Sequence, residues 1–130
     1  MVDGMLQLIP SAKVGHIGLY RDPVTVKPVE YYCKLPADCS EREVFVVDPM
    51  LATGHSMELA YKALLTKGEP EHIHAAAIIA SQQAVDYVAR MMPSECTTLW
   101  VAAIDPRLNE HAYIVPGLGD AGDLAFGEKD

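Results

Sequence analysis

The chain has 130 residues, 50% of them hydrophobic and 22% charged, a composition typical of one folded globular domain. Its formal net charge is −8 and no basic run offsets the acidic side chains, which argues against a partner bound mainly through nucleic-acid phosphates. No stretch reaches the roughly 18 apolar residues of a membrane span, and the N-terminal segment has no secretory signal pattern. We therefore expect a cytoplasmic protein with neither a nucleic-acid nor a membrane partner.

The first third of the chain predicts a short helix followed by two strands. Apolar residues recur at helical spacing over 2–9 and stop before Pro10, because proline restrains the residue that precedes it. Residues 14–20 and 29–35 have the composition of strands and are separated by a turn-rich segment. These two strands are expected to pair as an antiparallel hairpin arm.

The middle of the chain predicts a buried strand followed by a helix. Four apolar β-formers occupy residues 44–47 and end at Asp48, which is typical of a strand buried on both faces. Ser56 is a suitable N-cap for a helix whose apolar positions run from Met57 to Leu65, and Gly68 is a suitable stop.

The rest of the chain continues the alternation of strand and helix. Residues 75–79 and 99–104 predict strands, and between them Ser81 begins a helix that ends before Pro93. Such an alternation predicts one α/β domain over residues 1–130, with a parallel sheet flanked by helices. The predicted inward positions of this third helix are Ala84, Val85, Val88, Ala89 and Met92.

The cysteines and histidines do not form a recognisable metal or disulfide pattern. Cys33, Cys39 and Cys96 are odd in number and include no Cys-x-x-Cys pair, so we expect reduced structural thiols. His72-x-His74 lies at the start of a predicted strand and is expected on a solvated face rather than at a metal.

Ligands of parallel α/β sheets bind at the carboxyl ends of the strands, which here nominates three segments. They are Arg21-Asp22, Asp48 to Ser56, and Asp105 to Arg107. The second joins a strand to a helix, so the amides of residues 52–56 and the hydroxyls of Thr53 and Ser56 would face a bound anion. An ordinary strand-to-helix turn remains the alternative for this segment.

The segment Gly117-Leu-Gly-Asp-Ala-Gly122 matches G-x-G-x-x-G, but too little chain follows it for a dinucleotide-binding helix. A glycine-rich loop that approaches a flat ligand through its backbone and a merely structural loop both remain open. The chain has no Gly-Lys-Ser/Thr phosphate loop and no Gly-x-Ser-x-Gly elbow, so the sequence does not support a Walker-type site or a serine hydrolase.

Three motifs together resemble uracil phosphoribosyltransferases. They are VGHIGLYRDP at 14–23, DPMLATGHS at 48–56 and LNEHAYIVPGLGDAGD at 108–123. The resemblance covers almost the whole chain and implies a phosphoribosyltransferase-type core that converts uracil and 5-phosphoribosyl diphosphate to UMP and diphosphate in pyrimidine salvage. It further implies Mg²⁺ with the donor, a homo-oligomer (dimer or tetramer) and, in some members, activation by GTP.

The resemblance also implies roles for individual residues. Asp48 would meet the ribose hydroxyls, Arg21 would stabilise the leaving diphosphate and Asp105 would lie near the diphosphate and the metal. No side chain is assigned as a metal ligand. The implied donor site comprises Arg21, Asp48, Pro49, Met50, Leu51, Ala52, Thr53, Gly54, His55, Ser56 and Asp120; the uracil site comprises Ile114, Gly119, Asp120 and Ala121; the catalytic set comprises Arg21, Asp48, Asp105 and Asp120.

This sequence departs from the family pattern in two respects. His55 replaces the second glycine of the usual Thr-Gly-Gly-Ser loop, and phosphate binding is expected to survive that change. The chain matches the C-terminal two thirds of family members and is expected to lack one central strand, together with an arginine-alanine-glycine loop that holds the diphosphate. A non-catalytic nucleotide- or donor-binding module is therefore the main alternative to an enzyme, and RNA binding is a third that the acidic charge disfavours.

Overall fold

The computed structural model describes residues 1–22 and 28–127 and confirms an α/β architecture with a parallel sheet and a separate hairpin. None of the helices in these ranges is long and apolar enough to cross a membrane. In chain order the elements are α1 Val2–Leu8, β1 His16–Arg21, β2 Pro28–Lys34, β3 Glu43–Val47, β4 Met50–Leu51, α2 His55–Leu65, β5 His72–Ser81, α3 Gln82–Met91, β6 Thr97–Asp105, β7 Arg107–Leu108, β8 Ile114–Val115 and α4 Ala121–Phe126.

Strand β5 is the centre of the parallel sheet. Strands β3 and β4 pair with one of its edges and β6 pairs with the other, all in parallel. Val46 lies opposite Ala75, and Ala75 lies opposite Leu99, so one layer of side chains runs across three strands. Within the described ranges the outer edge of β3 pairs with no strand.

The core lies on one face of this sheet, beneath α2 and α3. Side chains that alternate along β5 are buried, as Ile73, Ala75 and Ala77 show with 1%, 0% and 6% exposure. They pack in one cluster with Met57 and Leu64 of α2 and with Ala84, Val88 and Met92 at α3. The prediction that Ala89 also points inward is wrong, because it is exposed.

No helix covers the opposite face of the sheet in the described part of the chain. Phe45, Ile78 and Trp100 remain 44%, 53% and 57% exposed there. The folded chain exposes 8512 Å², against roughly 6,800 Å² expected for a compact chain of this mass. Among residues 1–22 and 28–127 the parallel sheet is therefore covered on one side only, which is unusual for this type of sheet.

His72 and His74 lie on that outer face, as predicted, and their side chains are half-buried there. His74 Nε2 lies 2.9 Å from Glu43 Oε2, and the indole N–H of Trp100 donates to His74 Nδ1 at 3.1 Å. His72 Nε2 lies 2.8 Å from the hydroxyl of Thr98. Since Nδ1 of His74 accepts a hydrogen bond, its Nε2 carries the proton and donates to Glu43.

The antiparallel arm is confirmed. Strand β1 pairs with β2 from His16 opposite Lys34 to Arg21 opposite Pro28, with a bulge between Gly18 and Leu19. The pair forms its own two-stranded sheet, and β2 contacts α2. Most of the predicted turn between these strands, residues 23–27, lies outside the described residues.

All three cysteines are free thiols, as predicted. Cys39 is 3% exposed and belongs to the core, whereas Cys33 is exposed on β2 and Cys96 is half-buried. They form no covalent cross-link with one another, and only Cys39 is fully packed in the core.

Two isoleucine-to-alanine substitutions on β5 test whether only one face of the sheet is buried. Ile73→Ala removes a buried side chain and should lower the free energy of unfolding by about 3 kcal/mol. Ile78→Ala, on the outer face, should change it by no more than about 0.5 kcal/mol. Urea unfolding of both variants measures the difference, and equal losses would show that the outer face is buried in solution.

Candidate functional site

The loop that follows β3 lies at the carboxyl edge of the sheet. Asp48 comes directly after the last residue of β3, and its amide donates to the Ala76 carbonyl of β5 at 3.0 Å. At the same edge Ser81 ends β5 opposite Asp105, the last residue of β6. The carboxyl ends of β3, β5 and β6 therefore lie at one edge of the sheet, where the second and third of the nominated segments begin.

The Asp48 carboxylate holds both ends of the loop. Its Oδ1 accepts from the Met50 amide at 3.2 Å, and its Oδ2 accepts from the Ser56 hydroxyl at 2.8 Å. The side chain thus joins the end of a strand to the first turn of a helix eight residues later. Asp48 shapes the loop before any ligand arrives.

Helix α2 begins two residues earlier than predicted. Gly54, with φ 86°, is its N-cap, so the assignment of Ser56 as N-cap is wrong and Ser56 lies inside the first turn. The physical reason is that glycine adopts the left-handed conformation readily, while the Ser56 hydroxyl is engaged by Asp48. The amides at the start of α2 have no acceptor within the helix and are available to an anion.

A short strand and a serine fix the middle of the loop to the sheet. Met50 and Leu51 form β4 against Ile79 and Ala80, and Leu51 is fully buried. Ser81 caps α3 as predicted by accepting from the Ala84 amide at 3.0 Å. Its hydroxyl also donates to the Ala52 carbonyl at 2.5 Å, a contact that the sequence pattern does not reveal.

A tyrosine on α3 supports the start of α2, and sequence reasoning missed it. The Tyr87 ring lies against His55 with centroids 4.7 Å apart, and its hydroxyl donates to Glu58 Oε2 at 2.5 Å. The hydrogen bonds from Lys62 and Tyr87 lower the pKa of Glu58, while the bond to Glu58 raises the pKa of Tyr87. At neutral pH Glu58 is therefore an acceptor and Tyr87 a donor.

The glycine-rich segment forms a tight turn tied to β6. Asp105 Oδ2 accepts from the Gly117 amide at 3.0 Å. Gly117 has φ 48°, and a side chain there would collide with the Ile114 carbonyl. Gly119, with φ 78°, has no neighbouring atom within 4 Å of where its Cβ would lie. A flat ligand can therefore approach the backbone at Gly119 but not at Gly117.

A fourth helix begins directly after this turn and was not predicted. Asp120 is the N-cap of α4, and its Oδ1 accepts from the amides of Gly122 and Asp123 at 2.7 and 3.0 Å. Aspartate in front of a short helical segment is the signal that was available in the sequence. Ile114 as a whole residue is only 2% exposed, so it packs beneath this turn.

Two predicted features of the site remain, the Arg21 side chain and a place for a metal ion. Arg21 is the last residue of β1, and its side chain lies outside the described part of the structure. In the described ranges, no group of three or more histidine, cysteine, aspartate or glutamate side chains is arranged to hold a metal ion. The donor and uracil roles of the individual residues stay predictions.

Almost the whole chain is similar to uracil phosphoribosyltransferases. The family model described as "Uracil phosphoribosyltransferase" matches residues 1–128. The uracil phosphoribosyltransferases of Agathobacter rectalis and Clostridioides difficile are 58% and 54% identical to it over 129 residues, which is 99% of this chain and 60% of each relative. The solved AQ2163 protein from Aquifex aeolicus has a TM-score of 0.87 and 34% identity, covering 98% of this chain and 59% of its own. The chain therefore spans about three fifths of the relatives that it matches.

The bond between Ser56 and Asp48 is expected to stabilise the loop. Ser56→Ala leaves a half-buried carboxylate oxygen without its hydroxyl donor and should lower the free energy of unfolding by about 1 kcal/mol. Ser94→Ala, at an exposed serine, is the matched control and should leave stability unchanged. Equal urea midpoints for the two variants would contradict the assigned role of this bond.

Proposed function

Because this chain belongs to the uracil phosphoribosyltransferase family, we propose that it transfers the phosphoribosyl group of 5-phosphoribosyl diphosphate to uracil, giving UMP and diphosphate in pyrimidine salvage. In this reaction the bond from the ribose C1 to diphosphate breaks and a bond from C1 to a uracil nitrogen forms, with loss of that nitrogen's proton. The observation that carries the proposal is the loop from Asp48 to Ser56, which is fixed at both ends and leads into α2.

The donor's ribose and 5′-phosphate are assigned to this loop. The free amides at the start of α2 provide hydrogen-bond donors and the positive end of the helix dipole, both of which favour a phosphate. The resemblance places Asp48 at the ribose hydroxyls. Each of its oxygens already accepts one hydrogen bond, and a carboxylate oxygen can accept a second from a ribose hydroxyl.

Uracil is assigned to the backbone around Gly119, with Ile114, Asp120 and Ala121. The open space over Gly119 supports this assignment, since a side chain would occupy the position of a flat ring. Uracil has two carbonyls and two N–H groups, which suit main-chain amides and carbonyls as partners. The bond from Asp105 to Gly117 holds the turn in place for such contacts.

The leaving diphosphate is assigned to Arg21 and the region of Asp105. A guanidinium forms bidentate bonds to phosphate oxygens and stabilises the charge that develops as diphosphate departs. We propose that Mg²⁺ enters bound to the donor, since the resemblance assigns no metal-ligating side chain. With an oxocarbenium-like ribose in the transition state, positioning of the two substrates is the main contribution of the protein.

The resemblance implies four further properties, which we also propose for this chain. They are assembly into a homo-oligomer, a cytoplasmic location, activation by GTP and the absence of a nucleic-acid partner. The net charge of −8 without a basic run supports the last of these.

A non-catalytic module that binds the donor or a nucleotide is the second proposal. Two observations favour it. The chain spans 60% of its relatives, and the outer edge of β3 pairs with no strand in the described ranges. A module of this kind would bind 5-phosphoribosyl diphosphate without releasing diphosphate from it.

Turnover separates the two proposals. UMP formation from uracil, 5-phosphoribosyl diphosphate and Mg²⁺ is measured for the 130-residue chain and for a chimera extended by the part of the Agathobacter rectalis relative that lies outside the match. We expect the chimera to form UMP and the 130-residue chain to be at least about 100-fold slower, because the resemblance assigns part of the diphosphate site to a loop that lies outside these 130 residues.

The chimera with Asp48→Asn serves as the negative control and should bind the donor more weakly. A chimera that binds the donor but forms no UMP would favour the non-catalytic module. A chimera that neither binds the donor nor forms UMP would reject both proposals. Equal turnover by the two chains would show that the missing strand and loop are dispensable.

The backbone assignment for uracil is tested at Gly119. Gly119→Val should weaken uracil binding by at least about tenfold and leave donor binding unchanged, because the branched side chain fills the space assigned to the ring. Gly119→Ala is the matched control, because alanine suffers the same backbone strain at this positive φ but has a smaller side chain. Uracil affinity that is equal in Gly119→Val and Gly119→Ala, by titration calorimetry, would remove uracil from this position.

A further inference from the structure

Tyr87 on α3 lies outside the residues that the family resemblance assigns, yet its ring faces the start of α2. A Cβ placed on Gly54 would lie 2.9 Å from Tyr87 Cδ1 and 3.4 Å from the Ala84 carbonyl oxygen, so the loop backbone rests on this ring and on α3. The His55 imidazole lies against the same ring, with centroids 4.7 Å apart and planes inclined by 38°. One aromatic side chain therefore supports both residues at which the helix begins.

The hydroxyl of Tyr87 fixes the ring to the same turn. It donates to Glu58 Oε2 at 2.5 Å, and the Glu58 amide donates to the Gly54 carbonyl at 3.1 Å, which closes the first turn of α2. The other oxygen of Glu58 accepts from Lys62 at 2.6 Å, and the Glu58 side chain is only 13% exposed. Each of these contacts of Tyr87 falls between residues 54 and 58, at the end of α2 that faces the edge of the sheet.

The same contacts orient the imidazole of His55. Its Nδ1 lies 3.0 Å from the Thr53 hydroxyl while the ring face lies on Tyr87, so the ring is held on two sides although it is exposed. A histidine in place of a loop glycine adds a bulky, mobile side chain beside the amides that an anion would use. Support from Tyr87 keeps that side chain in one orientation and the amides accessible.

We propose that Tyr87 is a positioning residue for the loop: its ring holds the turn from Gly54 to Glu58 in the conformation that receives the donor phosphate. This inference rests on the proposed donor-binding role of the loop. A loop that is already ordered does not pay the entropy cost of becoming ordered when the donor binds. The cost of fixing the backbone of one residue corresponds to a change in affinity of about tenfold.

The test uses Tyr87→Ala, Tyr87→Phe and a control, Tyr32→Ala, at an exposed tyrosine of the hairpin. Titration calorimetry with 5-phosphoribosyl diphosphate and Mg²⁺ should give about tenfold weaker binding for Tyr87→Ala, with uracil affinity unchanged. Tyr87→Phe keeps the ring contacts with Gly54 and His55 and should stay within about twofold of the unsubstituted chain. Tyr32→Ala should match the unsubstituted chain. If Tyr87→Ala does not fold, Tyr87→Leu replaces it, because leucine is apolar but lacks the flat ring.

Hydrogen exchange without any ligand separates this inference from the proposed function. In Tyr87→Ala the amides of residues 55–58 should exchange about tenfold faster, while those of β5 keep their protection. Unchanged exchange at residues 55–58, or an equal increase across β5, would overturn the positioning role. If exchange behaves as expected but the unsubstituted chain binds no donor, the support of the loop stands and the proposed function fails.

Discussion

Burial of one face of β5 beneath two helices determines where the other parts of this chain lie. Ala75, Ala77 and Ala80 on the strand and Ala84 on α3 are almost fully buried, and such small side chains let the helix approach the sheet closely. Larger side chains such as Leu51 and Met57 fill the remaining space. Because the strands are parallel and in register, this packing brings the loops after β3 and β6 to the same edge. The candidate site is thus a consequence of the core.

At that edge, aspartates shape the loops on which a ligand would rest. Asp48 holds Met50 and Ser56, Asp105 holds Gly117, and Asp120 caps α4 through the amides of two following residues. A carboxylate that fixes a loop has fewer lone pairs left for a ligand, so replacement of one of these residues affects loop shape together with any direct contact. The donors that the loop after β3 offers to an anion are chiefly its backbone amides, since the stretch from Asp48 to Ser56 contains no lysine or arginine and the Ser56 hydroxyl already donates to Asp48.

The sequence was sufficient for the features that depend on periodicity and local caps. The strand at 44–47 and the Ser81 cap are in place, because each follows from neighbours in the chain. The prediction that this strand is buried on both faces is wrong, because Phe45 is 44% exposed on the uncovered face. Local reasoning failed where tertiary contacts decide. Ser56 fits an N-cap by composition, but Asp48 engages its hydroxyl and Gly54 begins the helix. The support of His55 by Tyr87 joins residues of different helices, which no spacing in the sequence reveals.

The outer face of the sheet gives this chain a built-in optical signal. Trp100 is the single tryptophan, and its indole lies 57% exposed on that face with its N–H bonded to His74. Indole emission shifts to shorter wavelength as water is removed, so the intrinsic fluorescence of the chain reports directly whether anything covers the sheet.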